Sequence, residues 1–161
     1  GIFILIDQTV HVGDIIELDG KVGRVENITL RTTRAVTRDN KVLVIPNHKY
    51  LTTTLFNWTE NDKVTGESIN VGVAYGTDVE KFKKVVLEIA TQHPDATKKK
   101  DPILLFQDFG DSSLDFTLIV FTENAFKGAM IKSDIRFAIE KALRINDIEI
   151  PFPQRVIHTS N

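Results

Sequence analysis

The sequence predicts a mixed β and α+β protein, a small curved β-barrel followed by a module with the strand and helix order β-α-β-β-α-β. Three observations predict it. Residues 12–47 are short β-branched runs separated by turn residues, with no helical periodicity. Within them, the run 21–30 switches its apolar parity, with Val25 odd-numbered and Ile28 and Leu30 even-numbered. Such a strand needs a bulge or sharp bend, which a small closed barrel also requires. Beyond Glu67, apolar residues at spacing three or four (Val79, Phe82, Val86, Ile89, then Ile131, Ile135, Ile139, Leu143) mark two helices between strands.

Composition narrows the function classes. The 161 residues are 42% hydrophobic and 26% charged with a net charge of −2, so no global charge favours nucleic acid or an anionic membrane surface. Cysteine is absent, which removes disulfides, thiolate nucleophiles and Cys-based metal sites. No run reaches the ~18–20 apolar residues that span a bilayer, and no signal-peptide pattern is present.

Taken in order, residues 1–6 are apolar on every side and end at Asp7. They read either as an edge strand or as the last turns of a membrane helix. Gly13 and Asp14 form a turn before the strand 15–18. Asp19-Gly20 is a strong hairpin signal because both residues tolerate positive φ. Gly23 is placed to help the next strand curve. The strand 31–37 is followed by a turn at Asp39-Asn40, and the apolar run 42–45 reads as a buried strand. Pro46 stops it and Asn47 suits a turn. A final β segment covers 50–58, in which Phe56 and Trp58 share a parity and could close the core or pack elsewhere. A polar linker comes next.

In the second module residues 69–73 alternate as a half-buried strand. Thr77-Asp78-Val79-Glu80 is a capping box opening a helix that His93-Pro94 ends. Lys98, Lys99 and Lys100 lie in the loop beyond. Strands 103–109 and 114–122 flank a turn, and a second helix covers 127–145, with Asn146 as its left-handed cap. Residues 148–150 make the last strand of this ferredoxin-like arrangement. Residues 154–159 could add a strand that has no partner in its own domain, and so would pair with another chain or fray. The expected domains are 1–10 (pore-helix end or edge strand), 11–62 (β domain), 63–153 (ferredoxin-like domain) and 154–161 (C-terminal assembly strand).

Several ordered motifs carry a resemblance: Val12-Gly13-Asp14, Asp19-Gly20, Gly23-Arg24-Val25, Leu30-Arg31-Thr32, Asp39-Asn40, Ile45-Pro46-Asn47, Val71-Gly72-Val73-Ala74-Tyr75, and Ile148 through Arg155 as IEIPFPQR. In that order and spacing they resemble the small-conductance mechanosensitive channel family across essentially the whole chain. The resemblance implies an Sm-like β domain, an α/β domain and a last strand, assembled as a homoheptamer into a cytoplasmic vestibule below an inner-membrane pore. It implies a channel that opens under tension and releases ions and small osmolytes on hypoosmotic shock, with no cofactor. The structural motif residues are then Gly13, Asp14, Asp19, Gly20, Gly23, Asn40, Pro46 and Asn47, with Lys98, Lys99 and Lys100 as candidate portal charges. The approach 7–11 departs from the family's pattern, as does the lysine loop.

Other chemistry finds little support. His11, His48, His93 and His158 lack the spacing of a zinc site and read as surface histidines. Ser112 and Ser113 lie in a turn with no triad around them, so no enzyme is expected. Arg31 and Arg34 face opposite sides of a strand and, with Arg38, read as solvated or paired with carboxylates. They form no basic aromatic face for RNA. The alternative from another class is a soluble ligand- or protein-binding regulatory module.

Overall fold

The computed structural model describes residues 9–155 and 157–159. Residues 1–6, expected to be a pore-helix end or an edge strand, lie outside the described residues. The chain forms two compact units. The first takes in the described residues up to Thr65 together with Thr122–Ala129, and the second takes in Gly66–Phe121 and the described residues from Met130 onward.

The first unit is a five-stranded antiparallel sheet of β1 (Ile15–Leu18), β2 (Lys21–Ile28), β3 (Thr32–Val36), β4 (Val42–Pro46) and β5 (Leu55–Asn57), in the order β4-β3-β2-β1-β5. The expected parity switch is a register shift between Val25 and Asn27 in the β2–β3 ladder. The extra residue there bends β2, so Val25 and Ile28 can both reach one core. That core joins Val10, Ile16, Leu18, Val25 and Ile45, with Ile28, Leu43, Tyr50 and Leu55 against it.

Three expectations for this unit need correction. The five strands are present, but no β4–β5 ladder closes them among the described residues; β4 and β5 are the sheet's edges. The run 42–45 is not buried throughout, because as an edge strand it turns Val42 (46% exposed) and Val44 (63%) outward. The segment 50–58 is likewise not all strand. A 3-10 helix, η1 (Asn47–Leu51), precedes the three-residue β5, and Phe56 is exposed rather than core.

Apart from the end residues Thr65, Thr122, Gly128 and Ala129, the second unit holds β6 (Thr65–Val73), β7 (Ile103–Phe109) and β8 (Leu114–Thr122) in the order β6-β8-β7, with helices α1 (Val79–Gln92) and α2 (Gly128–Ile145). On β8, buried and half-buried residues alternate, which points Leu114, Phe116, Leu118 and Val120 at the helices. They meet Phe82 and Val86 of α1 and Ile131, Ile135, Ile139 and Leu143 of α2. The Phe82 and Phe116 rings lie 4.8 Å apart at a tilted angle.

Both predicted helix caps move by one residue. Thr77 Oγ1 donates to the Ala74 carbonyl (2.7 Å), so Asp78 becomes the N-cap and accepts from Lys81 N (3.1 Å). At the end of α2 the left-handed residue is Asp147 (φ 54), not Asn146. Ile148 N then reaches Leu143 O (2.9 Å) and Asp147 N reaches Arg144 O (3.3 Å), which is a Schellman closure. Asn146 uses its side-chain amide on the Ala142 carbonyl (2.8 Å) instead.

Residues 148–150 carry a single ladder-like bond, from Ala74 N to Glu149 O (2.9 Å), and are not a strand of the sheet. The described residues of 154–159 are not strand either. Gln154 N donates to Ser112 Oγ (3.0 Å), but no strand among the described residues pairs with the rest.

Candidate functional site

The densest polar arrangement of the first unit surrounds Asp14, where the chain comes into the β sheet. Gly13 adopts φ 96, a region costly for residues with a Cβ, and this reverses the chain after His11. Gly13 N donates to Val25 O and Val25 N donates to Asp14 O, both at 2.8 Å, so the turn is stitched to β2. The Asp14 side chain is only 14% exposed. Its Oδ2 accepts from His11 N (2.9 Å) and Asn57 Nδ2 (2.9 Å), and its Oδ1 accepts from Thr59 Oγ1 (2.9 Å).

The same partners extend the network in both directions. Asn57 Nδ2 also donates to Thr9 O (2.7 Å), and Thr59 Oγ1 accepts from Ile15 N (3.1 Å). Trp58 N donates to Ile15 O (2.8 Å) between them. Burial pushes the Asp14 carboxyl up, but bonds from Asn57, His11 N and Thr59, together with the His11 charge, outweigh it. The carboxyl is held below its ordinary value. The result is a junction in which an ionised side chain ties the approach 9–11 to β1, β2 and β5. Val10, 1% exposed, pins the same approach to the core.

A second lock lies at Asn47, which is 2% exposed. Its Oδ1 accepts from Thr33 Oγ1 (2.9 Å), its Nδ2 donates to Thr29 O (2.8 Å) and its backbone N donates to Arg31 O (2.8 Å). Asn47 therefore joins the end of β4 to both sides of the β2–β3 connection. Pro46, whose missing amide is harmless on an edge strand, sets it there. The Tyr50 hydroxyl is buried without a hydrogen-bond partner among the described residues. Burial raises its pKa, and the neighbouring Thr33 hydroxyl opposes the rise.

The remaining motif residues shape turns. Asp19 (φ 51) and Gly20 (φ 75) make the β1–β2 hairpin, with Lys49 Nζ 3.8 Å from Asp19 Oδ2, and Asn40 (φ 62) makes the β3–β4 turn. Gly23 serves close approach rather than an unusual φ, since a Cβ there would meet the Ala35 Cβ at 3.0 Å. Thus the structure brings Gly13 and Asp14 into one cluster and Asn47 into another. Asp19, Gly20 and Asn40 stand apart as turns.

Arg38 departs from the solvated reading. Its Nε donates to Phe126 O (2.9 Å) and its Nη2 to Ala125 O (3.0 Å), and the guanidinium lies 5.4 Å from the Trp58 ring centroid. Arg24 lies 5.1 Å from the Phe126 ring in the same unit. Asp14, Arg24, Thr59, Lys63 and Phe126 line an open cleft of about 400 Å³. Asn57 and Thr59 are residues of the Asp14 cluster that sequence reasoning missed, and Arg38 is one that it read only as solvated or paired with carboxylates. The only sequence signal for Asn57 and Thr59 is that they flank Trp58, which fits a surface segment equally well.

In the second unit Lys98, Lys99 and Lys100 are exposed on a loop, and Lys100 Nζ stands 4.3 Å from the Phe121 ring centroid. No group of His, Asp or Glu suited to a metal occurs among the described residues, and none of their helices is long and apolar enough to cross a membrane.

Comparison with known proteins bears on both units. Residues 1–60 match the family model described as the mechanosensitive ion channel beta-domain, and residues 67–150 match that of the mechanosensitive ion channel MscS, C-terminal. The chain is 35% identical over its whole length to the mechanosensitive channel MscK of Escherichia coli K12, covering 14% of that protein. It is 31% identical over its whole length to an MscS family protein of Archaeoglobus fulgidus, covering 56% of it. The closed-state crystal structure of Helicobacter pylori MscS superposes with a TM-score of 0.81 at 29% identity, covering 99% of this chain and 63% of that one. The chain belongs to the MscS family of mechanosensitive ion channels.

Proposed function

We propose that this chain is the cytoplasmic vestibule portion of a tension-gated channel that releases ions and small osmolytes on hypoosmotic shock. The observation that carries the reading is the match of both halves, in order, to the two family models. The Asp14 junction supports it physically. A pore helix arriving at Thr9 would pull on a segment tied to β1, β2 and β5 rather than on a loose linker. In this reading residues 11–62 are an Sm-like β domain, 63–153 a ferredoxin-like domain and 154–161 an assembly strand. Copies of the chain form a homoheptamer at the inner membrane, joined to it by N-terminal helices. The apolar outward residues of the edge strand β4 and the described residues of the C-terminal segment, which join no ladder, suit pairing with neighbouring copies.

Lys98, Lys99 and Lys100 then act as portal charges that concentrate anions at the vestibule openings. The test is single-channel recording of the full protein under applied suction and asymmetric salt. Neutralising the three lysines to Gln should shift the reversal potential toward cation preference while leaving the opening tension unchanged. An unchanged reversal potential sinks the portal role, and the absence of any tension-activated conductance sinks the channel reading. Native mass of the detergent-solubilised channel checks the heptamer.

A further inference from the structure

His93 is set apart from the other described histidines. His11, His48 and His158 are exposed, whereas the His93 side chain is 8% exposed at the C-terminal end of α1. Its Nδ1 accepts the backbone N–H of Asp95 (3.0 Å), and its Nε2 lies 2.9 Å from Asp134 Oδ2 on α2. A backbone amide only donates, so Nδ1 holds a lone pair and the ring proton sits on Nε2, donated to the carboxylate. The two bonds together select one neutral tautomer.

We propose that His93 is a proton-operated latch on the turn leading into the loop of Lys98, Lys99 and Lys100. A second proton must go to Nδ1, the atom that holds the Asp95 amide. That bond is then lost, because two N–H groups face each other. The Nε2–H bond to Asp134 becomes charge-assisted and tightens. Protonation therefore keeps α1 against α2 and frees the turn.

The bonds just beyond the turn make this consequential. Ala96 N donates to His93 O (3.0 Å), Thr97 N to Phe121 O (2.8 Å) and Lys99 N to Thr97 Oγ1 (3.2 Å), so the latch is the first of a short series of bonds that shape the lysine loop. His93 shares an open cleft with Ile89 and the neutral Gln92 of α1 and with Asp134, Ile135 and Ala138 of α2, of which Asp134 is the charged residue. Asp95 is the other acidic residue of the turn. Any bearing on permeation rests on the portal reading of the lysines; the latch itself does not, and it can be tested without channel activity.

The test is NMR on the ¹⁵N-labelled 161-residue chain, titrated from about pH 8 to about pH 5, the range in which histidine ordinarily changes charge. Imidazole ¹⁵N shifts should report the Nε2–H tautomer at high pH. The Asp95 amide should titrate together with the ring, and its exchange protection should fall on the order of tenfold, as loss of one ordinary hydrogen bond implies. Asp134→Asn still offers Nε2–H an acceptor oxygen but no charge, so it should keep the tautomer and move the titration to lower pH. An Nδ1–H tautomer, an Asp95 amide indifferent to the ring's protonation, or an unmoved titration in Asp134→Asn would each overturn the proposal.

Discussion

Replacing Asn47 by Ala should destabilise the first unit by about 2–4 kcal/mol, and most of that loss should arise at Thr33. The substitution removes the acceptor of Thr33 Oγ1 (2.9 Å) and the donor to Thr29 O (2.8 Å). Thr29 is exposed, so water replaces the second bond at small cost. Thr33 is 0% exposed, and its stranded hydroxyl costs roughly 1–3 kcal/mol. The space left by a side chain only 2% exposed adds about 1 kcal/mol. The unpartnered Tyr50 hydroxyl beside Thr33 could accept its proton after a small shift, which sets the lower end of the range.

A double-mutant cycle separates these contributions. Thr33→Val strands Asn47 Oδ1 instead, and the double variant strands neither group. The two changes should therefore couple by about 1–2 kcal/mol, with the double variant less destabilised than the sum of the singles. Urea unfolding followed by the fluorescence of Trp58, the only tryptophan and a residue of this unit, reads the relevant transition. Additivity within about 0.3 kcal/mol, the limit for independent sites, would refute the claim that Asn47 acts through Thr33.

Two further perturbations address the Asp14 and Arg38 clusters. Because the folded-state carboxyl of Asp14 is held below its ordinary value, its contribution is fully present above the unfolded pKa of about 3.9 and is lost as pH falls through the folded value. The stability gap between the parent chain and Asp14→Asn should thus be flat above about pH 5 and shrink below about pH 4, as measured by urea midpoints; a gap that widens on acidification contradicts the sign. Arg38→Ala removes two bonds to carbonyls and the stack on Trp58, and should cost about 1–2 kcal/mol and red-shift the emission. Arg38→Lys keeps the charge without the planar fork and should recover less than half of the loss; full recovery would show that charge alone matters.

The way β2 reaches its core shows how much of the fold is legible in the sequence. Side chains alternate strictly along a strand, so Val25 and Ile28 could share a core only through an inserted residue, and the bulge stands between Val25 and Asn27. Asp19-Gly20 is readable for a similarly local reason, since positive φ is a demand on one or two residues. The helix caps are legible only to within one residue. Thr77 could cap α1 or bond the preceding turn, and the Ala74 carbonyl within reach decides between them. The run 42–45 misleads because four apolar residues in a row look the same in a central strand and in an edge strand.

Although it placed a last strand at 148–150 that the structure does not form, the sequence by itself determined the order of β1 to β8 and the two α-helices, the bend in β2, the hairpin turns and, through its ordered motifs, the family. These depend on periodicity, turn chemistry and spacing, which act between near neighbours in the chain. Tertiary structure decided where the polar side chains do their work. Asp14 finds Asn57 and Thr59 more than forty residues away, and His93 finds Asp134 across 41 residues. Arg38 reaches carbonyls 87 and 88 residues along the chain. A hydrogen bond leaves no periodic trace in sequence, because it asks only that one donor and one acceptor be carried by the fold to within about 3 Å of each other.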